Sequence, residues 1–366
     1  MLRFRSLAPL AALLVALPAC DSDPVADDYD GPLLEAEANL GQWTYIDVEG
    51  SMCRDGSDVG VGVRLQEGAE NLVIYLEGGG ACFNGATCAT NPSSFTEGNF
   101  NARALGLNAG IFSTGDENPV GDWNMVYVPY CTGDVHGGSA PNAAVPGVAG
   151  TQQFVGHQNV ERALALLDDY YADDPDRVLV TGASAGGFGT LVNFPSVADT
   201  FDGSDLTLLD DSGPIFFADN VLSPQLGGAF AALYNFPATL PEATALFQPD
   251  GLQSIYAYLD SEYPSATFGL SSYLQDQVIR GFFSFGQPDF DISGDEYAAG
   301  LRDVRGRLPE SWGTYYVSGA AHTLIGGSAF YASSGGVALN EWLDDLLDGD
   351  PSNVDPDVPA RTLASR

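Results

Sequence analysis

The sequence predicts an α/β domain, with a mostly parallel central sheet and helices on both faces. Three observations carry that expectation. Short runs that are apolar throughout, rather than alternating, mark strands buried on both faces. Between them lie stretches with apolar residues at three-to-four spacing, the mark of amphipathic helices. The 366-residue chain is 45 % hydrophobic and only 17 % charged, which supplies a sizeable core and excludes disorder over its bulk.

The elements follow in order. Leu72-Val73-Ile74-Tyr75-Leu76 is a strand that runs into three glycines, Gly78 to Gly80. Met125-Val126-Tyr127-Val128 is a second, stopped by Pro129. Asn159 to Tyr171 sets Val160, Ala163, Leu164, Leu167 and Tyr170 on one helical face. Arg177 to Thr181 is a strand followed by a helix-forming stretch, Phe188 to Val197. Leu206–Leu209, Thr267–Leu270 and Tyr315–Val317 are three more strands, and Val337 to Leu347 closes as a helix with Leu339, Trp342, Leu343, Leu346 and Leu347 on one side. These elements place the folded domain at residues 41–348.

Both ends read as extensions. Residues 1–19 carry Arg3 and Arg5 before an apolar run from Leu7 to Ala19, the pattern of a secretory signal. Leu17-Pro18-Ala19-Cys20 resembles the bacterial lipobox, which implies cleavage before Cys20 and lipid attachment there. Several acyl chains, at about 0.8 kcal/mol per buried CH₂, make a stable anchor. Residues 20–40 then form an acidic tether, and 349–366 a flexible tail. The expected setting is the extracytoplasmic side of a bacterial envelope, with the protein a monomer held to the membrane through Cys20.

Composition narrows the partners. The formal net charge is −36, from 49 acidic and 13 basic residues, and every basic residue is Arg. Nucleic acid is excluded, because phosphate binding needs clustered basic charge. A polyanionic substrate is disfavoured for the same reason. Five cysteines are present; setting Cys20 aside leaves Cys53, Cys82, Cys88 and Cys131, enough for two disulfides in any of three pairings. Their spacing does not match a zinc ribbon, and His136, His157 and His322 do not lie beside paired cysteines, so no metal is expected.

The chemistry-bearing segment is Thr181-Gly182-Ala183-Ser184-Ala185-Gly186-Gly187, directly after the Arg177 strand. G-x-S-x-G between a strand and a helix lifts a serine hydroxyl above the sheet edge on a tight turn, and the next N–H, that of Ala185, faces a developing oxyanion. The fold that uses this turn, the α/β-hydrolase, orders its triad Ser, acid, His. His322 is the one histidine after Ser184 and follows a late strand, so it is the candidate base. His157 reads as structural; His136, in Asp134-Val135-His136-Gly137-Gly138, is a candidate for a pocket wall. Asp276, past the Thr267 strand, is the candidate acid, with Asp210, Asp211, Asp289 and Asp291 as rivals. Glu77-Gly78-Gly79-Gly80-Ala81 offers bare backbone for the second oxyanion donor. Phe216 to Phe247 is either a lid or acyl pocket, or a helical excursion packed on the core.

Together these motifs resemble the pectin acetylesterase/Notum family of serine carboxylester hydrolases. The matching segments are Cys53-Arg54-Asp55-Gly56-Ser57, YLEGGGACFNGATC (Tyr75 to Cys88), NMVYVPYCTGDVHGG (Asn124 to Gly138), TGASAGGFGTLVN (Thr181 to Asn193), LDDSGP (Leu209 to Pro214) and the late Asp and His. The resemblance implies an α/β-hydrolase with Ser184, Asp276 and His322 as triad, Gly79, Gly80 and Ala185 as oxyanion-hole positions, and disulfides Cys53–Cys131 and Cys82–Cys88. Gly80 and His136 stand where the Notum branch carries Trp, which implies an opened acyl-pocket rim at Gly80. No cofactor is implied. The plant branch removes acetyl groups from pectin and the animal branch a fatty acyl group from a secreted protein. The acidic composition points instead to a neutral ester: an acetylated neutral glycan, a short acyl ester or a neutral polyester. The alternative is a catalytically inactive, lipid-anchored binding module on the same fold.

Overall fold

The computed structural model describes residues 29–217, 224–247, 251–284 and 291–356. Among them nine strands form one sheet: β1 (Thr44–Ile46), β2 (Val61–Arg64), β3 (Leu72–Leu76), β4 (Asn124–Val128), β5 (Arg177–Ala183), β6 (Asp205–Asp211), β7 (Thr267–Tyr273), β8 (Trp312–Val317) and β9 (Asn353–Val354). Their spatial order is β1-β2-β4-β3-β5-β6-β7-β8-β9. The β1–β2 and β2–β4 pairs are antiparallel; from β4 onward each neighbouring pair is parallel. All six strands expected from their apolar runs are present.

Those runs are apolar throughout because successive residues serve opposite faces. In β3, Leu72, Ile74 and Leu76 join one core cluster while Val73 and Tyr75 join the other; in β5, Val178 and Val180 divide from Leu179 and Ala183 in the same way. The helices that position the site are α1 (Glu97–Ala104), α2 (Gly156–Asp168), α3 (Ala185–Thr200), α4 (Gln277–Phe283), α5 (Gly294–Arg307) and α6 (Leu339–Leu347). On one face α2 and α3 pack through Val160, Leu164, Leu167, Leu191 and Val197. On the other, α6 seats Leu339, Trp342, Leu343 and Leu346, each 0 % exposed. Full burial is worth roughly 1.5–3 kcal/mol for each leucine, so α6 is a fixed wall of the core rather than a terminal appendage. Helix α2 starts three residues before the expected Asn159, because Gly156 N–H is tied to the buried Asp134 carboxylate at 2.8 Å.

Both domain boundaries need correction. The tether expected through residue 40 is already packed structure: Leu33 and Ala36 are fully buried and Tyr29 sits edge-on to Tyr170 at 5.2 Å. The tail expected from 349 instead supplies β9, which pairs in parallel with β8 at Thr314 and Tyr315. It is held by buried Asp355, which accepts from Arg302 Nε at 3.0 Å and Arg305 Nη1 at 3.1 Å, both on α5. The signal segment, Cys20 and the tail beyond residue 356 lie outside the described residues. No helix among the described residues is long and apolar enough to cross a membrane.

Candidate active site

Ser184 occupies the junction of β5 and α3 with φ 58° and ψ −117°, a conformation that costs a non-glycine residue on the order of 1–3 kcal/mol. The surroundings impose it. Ser184 N–H donates to Asp211 O at 2.7 Å, and its own carbonyl oxygen accepts Phe188 N–H at 3.1 Å. The chain turns so tightly that a Cβ on Gly186 would run into the carbonyl oxygen of Leu76, and one on Gly182 would come within 2.6 Å of Gly186 backbone. Only glycine fits at either position.

His322 follows β8. Its Nδ1–H donates to Asp276 Oδ2 at 2.7 Å. Asp276 is 0 % exposed and is the N-cap of α4, its Oδ1 accepting Val278 N–H at 2.9 Å and Ile279 N–H at 3.0 Å. One carboxylate oxygen is thereby held by the helix and the other is aimed at the imidazole. Nδ1 carries the proton in this bond, which leaves Nε2 as the lone-pair nitrogen. Ser184 and His322 line the same cavity, of about 540 Å³. Among the described residues neither Ser184 Oγ nor His322 Nε2 makes a hydrogen bond, to each other or to a third group; what joins them is the cavity they both line.

That cavity continues along Gly78, Gly79 and Gly80, then Tyr75, Phe112, Tyr127 and Leu107. Its charged wall is self-neutralised: Arg103 Nη2 meets Glu77 Oε1 at 2.7 Å. Burial pushes the Glu77 carboxyl above its usual range, opposed by the Arg103 charge. A second, much smaller cavity of about 20 Å³ also reaches Ser184, lined by Val135, Phe188, Leu226, Phe230, Ile279, Phe282 and Phe283. The part of the Phe216–Phe247 segment that is described thus contributes Leu226 and Phe230 to this wall; residues 218–223 and 248–250 lie outside the description.

The rival acids fall elsewhere. Asp211 is fully buried and its carboxylate accepts four donors: Leu324 N–H, Ile325 N–H, Ser212 Oγ–H and Ser271 Oγ–H. Asp210 accepts Gly213 N–H at 2.7 Å, and burial raises its carboxyl well above the ordinary value. Asp291 is exposed, and Asp289 is outside the described residues. His136 is not on the cavity wall. It is 1 % exposed, its Nε2–H donates to Glu77 O at 2.8 Å, and burial lowers its pKa to about 4. His157 meets Asn193 Oδ1 through Nδ1 at 2.8 Å. Gly80, where an opened rim is expected, lines both cavities; its φ is 78°, and a side chain there would meet the Phe282 ring at 2.9 Å. Two disulfides, Cys53–Cys131 and Cys82–Cys88, flank the glycine loop. Among the described residues no group of three His, Cys, Asp or Glu is placed to hold a metal ion.

Comparison with known proteins agrees with this architecture. The chain is 31 % identical over 183 residues to palmitoleoyl-protein carboxylesterase notum1 of Xenopus laevis, covering 46 % of this chain and 35 % of that one. It is 28 % identical over 151 residues to pectin acetylesterase 5 of Arabidopsis thaliana, covering 39 % and 34 %. It therefore spans about a third of the length of these curated relatives. Another relative, from Danio rerio, is an inactive palmitoleoyl-protein carboxylesterase, 33 % identical over 93 residues, covering 24 % of this chain and 67 % of that one. The fold matches the solved structure of the Wnt deacylase Notum from Drosophila with a TM-score of 0.64 at 17 % identity, covering 87 % of this chain and 97 % of that one. The pectinacetylesterase family model matches residues 35–235, more than half of the chain, and the protein belongs to that family.

Proposed function

We propose that the protein is a serine carboxylester hydrolase with Ser184 as nucleophile, His322 as base and Asp276 as the acid that orients it. The observation that carries this reading is the 2.7 Å bond from His322 Nδ1–H to a buried, helix-capped Asp276, on a residue that shares a cavity with the strained Ser184. His322 Nε2 takes the Ser184 proton as Oγ attacks the ester carbonyl. The tetrahedral oxyanion is met by backbone N–H groups of Ala185 and of Gly79 and Gly80. Collapse expels the alcohol, which takes the proton from His322, and leaves an acyl-serine. Water, deprotonated by His322, then releases the acid and restores Ser184. An oxyanion donor of this kind is typically worth about 3 kcal/mol of transition-state stabilisation.

The two cavities that share Ser184 in their walls divide the substrate between them in this reading. The small apolar cavity of about 20 Å³ suits a short acyl group such as acetyl. The larger cavity of about 540 Å³ then takes the alcohol. Its one Arg is matched by Glu77, so its walls favour a neutral alcohol such as a sugar over an anionic one. Two disulfides suit an oxidising compartment, in keeping with export through the N-terminal signal and anchoring at Cys20. The inactive relative keeps a second reading in play, a non-catalytic ligand-binding module. A panel of nitrophenyl esters from acetyl to decanoyl, run with wild type and Ser184→Ala, decides between them. Fastest turnover of the acetyl ester, abolished by the substitution, is expected; no Ser184-dependent turnover of any ester overturns the hydrolase reading.

A further inference from the structure

The glycine loop carries three carbonyl oxygens that are each gripped by a different side chain. His136 Nε2–H donates to Glu77 O at 2.8 Å, Asn91 Nδ2–H to Gly79 O at 2.7 Å, and Tyr130 O–H to Gly80 O at 2.8 Å. A trans peptide holds its C=O and N–H on opposite sides. Fixing these three oxygens therefore fixes the direction of the N–H groups of Gly78, Gly80 and Ala81. None of those N–H groups has a hydrogen-bond acceptor among the described residues. Gly78 and Gly80 line the large cavity and Ala81 the small one.

A run of glycines has more backbone freedom than any other sequence, yet an oxyanion hole works only if its dipoles are fixed before the charge develops. The three gripping residues resolve that conflict from behind the loop. Each is itself locked. Asn91 is 6 % exposed, and its backbone oxygen accepts Arg54 Nη2–H at 2.7 Å. Tyr130 is 1 % exposed; its hydroxyl accepts Val135 N–H at 2.8 Å and its N–H donates to Glu77 Oε2 at 2.9 Å. His136 lies 4.7 Å from the Tyr130 ring, and its carbonyl oxygen accepts Asn193 Nδ2–H at 2.8 Å. The Cys82–Cys88 disulfide closes the stretch between the loop and Asn91.

We propose that Asn91 is a positioning residue of the oxyanion hole, acting on the transition state only through the Gly80 N–H it orients, with His136 and Tyr130 holding the peptides on either side of that group so that it keeps its direction. This rests on the hydrolase reading above. The test is turnover of nitrophenyl acetate by Asn91→Asp, which puts a carboxylate oxygen against Gly79 O, and by Tyr130→Phe, which removes one oxygen and keeps the ring packing. Inhibition by a trifluoromethyl ketone is measured alongside, since its Ser184 adduct carries the tetrahedral oxyanion. The expected result is kcat per titrated active site lowered about tenfold or more with KM held within about twofold, and ketone affinity weakened by the same factor as kcat/KM. Tyr130→Phe carries the test if Asn91→Asp does not fold. Folded variants whose kcat per active site and ketone affinity match wild type overturn the positioning role while leaving Ser184-dependent activity intact. A wild type without Ser184-dependent turnover removes the hydrolase reading and this proposal with it.

Discussion

The Asp211 carboxylate accepts the backbone N–H of Leu324 at 2.7 Å, two residues past His322. The same residue's backbone oxygen accepts Ser184 N–H at 2.7 Å. Asp211 thus ties the serine turn to the histidine loop without touching the imidazole through a hydrogen bond. Asp276 holds that imidazole by its Nδ1–H at 2.7 Å. Two buried aspartates divide the work, one fixing backbone and the other fixing a ring.

That division predicts opposite responses to the same substitution. Asp276→Asn turns an amide toward His322 and spoils its tautomer, so kcat should fall about 10³–10⁴-fold. Asp211→Asn keeps an acceptor for the Leu324 and Ile325 N–H groups, and the Ser212 and Ser271 hydroxyls can rotate to accept from the amide. Its kcat should stay within about tenfold of wild type. Asp211→Ala strands two buried N–H groups at roughly 1–3 kcal/mol each, which should appear as a lowered Tm. Nitrophenyl acetate kinetics and thermal unfolding on the three proteins check this. A greater kcat loss in Asp211→Asn than in Asp276→Asn would transfer the acid's role to Asp211.

Burial of His136 predicts a pH dependence of stability. Its pKa is lowered to about 4, so between 6.5 and 4 the unfolded chain takes up a proton that the folded one refuses. The His136 contribution is therefore complete above about pH 6.5 and is lost as pH falls toward 4, on the order of 3 kcal/mol in all. Neighbouring Asp134 acts with the opposite sign: burial raises its pKa to about 6, so it disfavours the fold as pH rises from 3.8. Glu77, also raised by burial, acts in the same direction as Asp134. His136→Gln retains a donor for Glu77 O and removes the titration, while Asp134 and Glu77 remain in both proteins. Urea unfolding from pH 7.5 to 4.5 should show wild type losing stability relative to His136→Gln as pH falls. A constant difference across that range would mean that His136 takes up its proton in the fold at the same pH as in the unfolded chain, which would overturn the buried neutral imidazole.

How much of this was legible beforehand depended on whether the signal was local. The core strands were, because burial on both faces writes an unbroken apolar run such as Leu72 to Leu76. Strands at or next to the sheet edges were not: β1 and β2 are short, β2 contains Gly62 and Arg64, and β9 is two residues inside an acidic, proline-rich stretch. Their order comes from partners distant in the chain, such as Arg302 and Arg305 for Asp355. The serine turn stood out because its glycines are required by contact with Leu76. Asn91 and Tyr130 carried no such mark, since a side chain that grips a distant carbonyl oxygen leaves no spacing pattern. Asp211 and Asp276 were distinguishable only once their donors could be counted.

The proposed placement of the acyl group in the small cavity beside Ser184 yields the last prediction. Phe282, on α4, is part of the cavity wall and fills the space beside Gly80. It is only partly buried, so Phe282→Ala should cost less stability than removal of Phe230, which is 2 % exposed and stacks on Phe236 at 5.2 Å. Each methylene accommodated by an apolar pocket is worth roughly 1–3 kcal/mol of discrimination. The substitution should therefore raise kcat/KM for butyryl relative to acetyl ester by about tenfold or more. Chain-length profiles of wild type and Phe282→Ala on nitrophenyl esters provide the check. If the profile keeps its acetyl maximum and its slope after the ring is removed, the acyl group does not enter beside Phe282 and lies instead in the larger cavity.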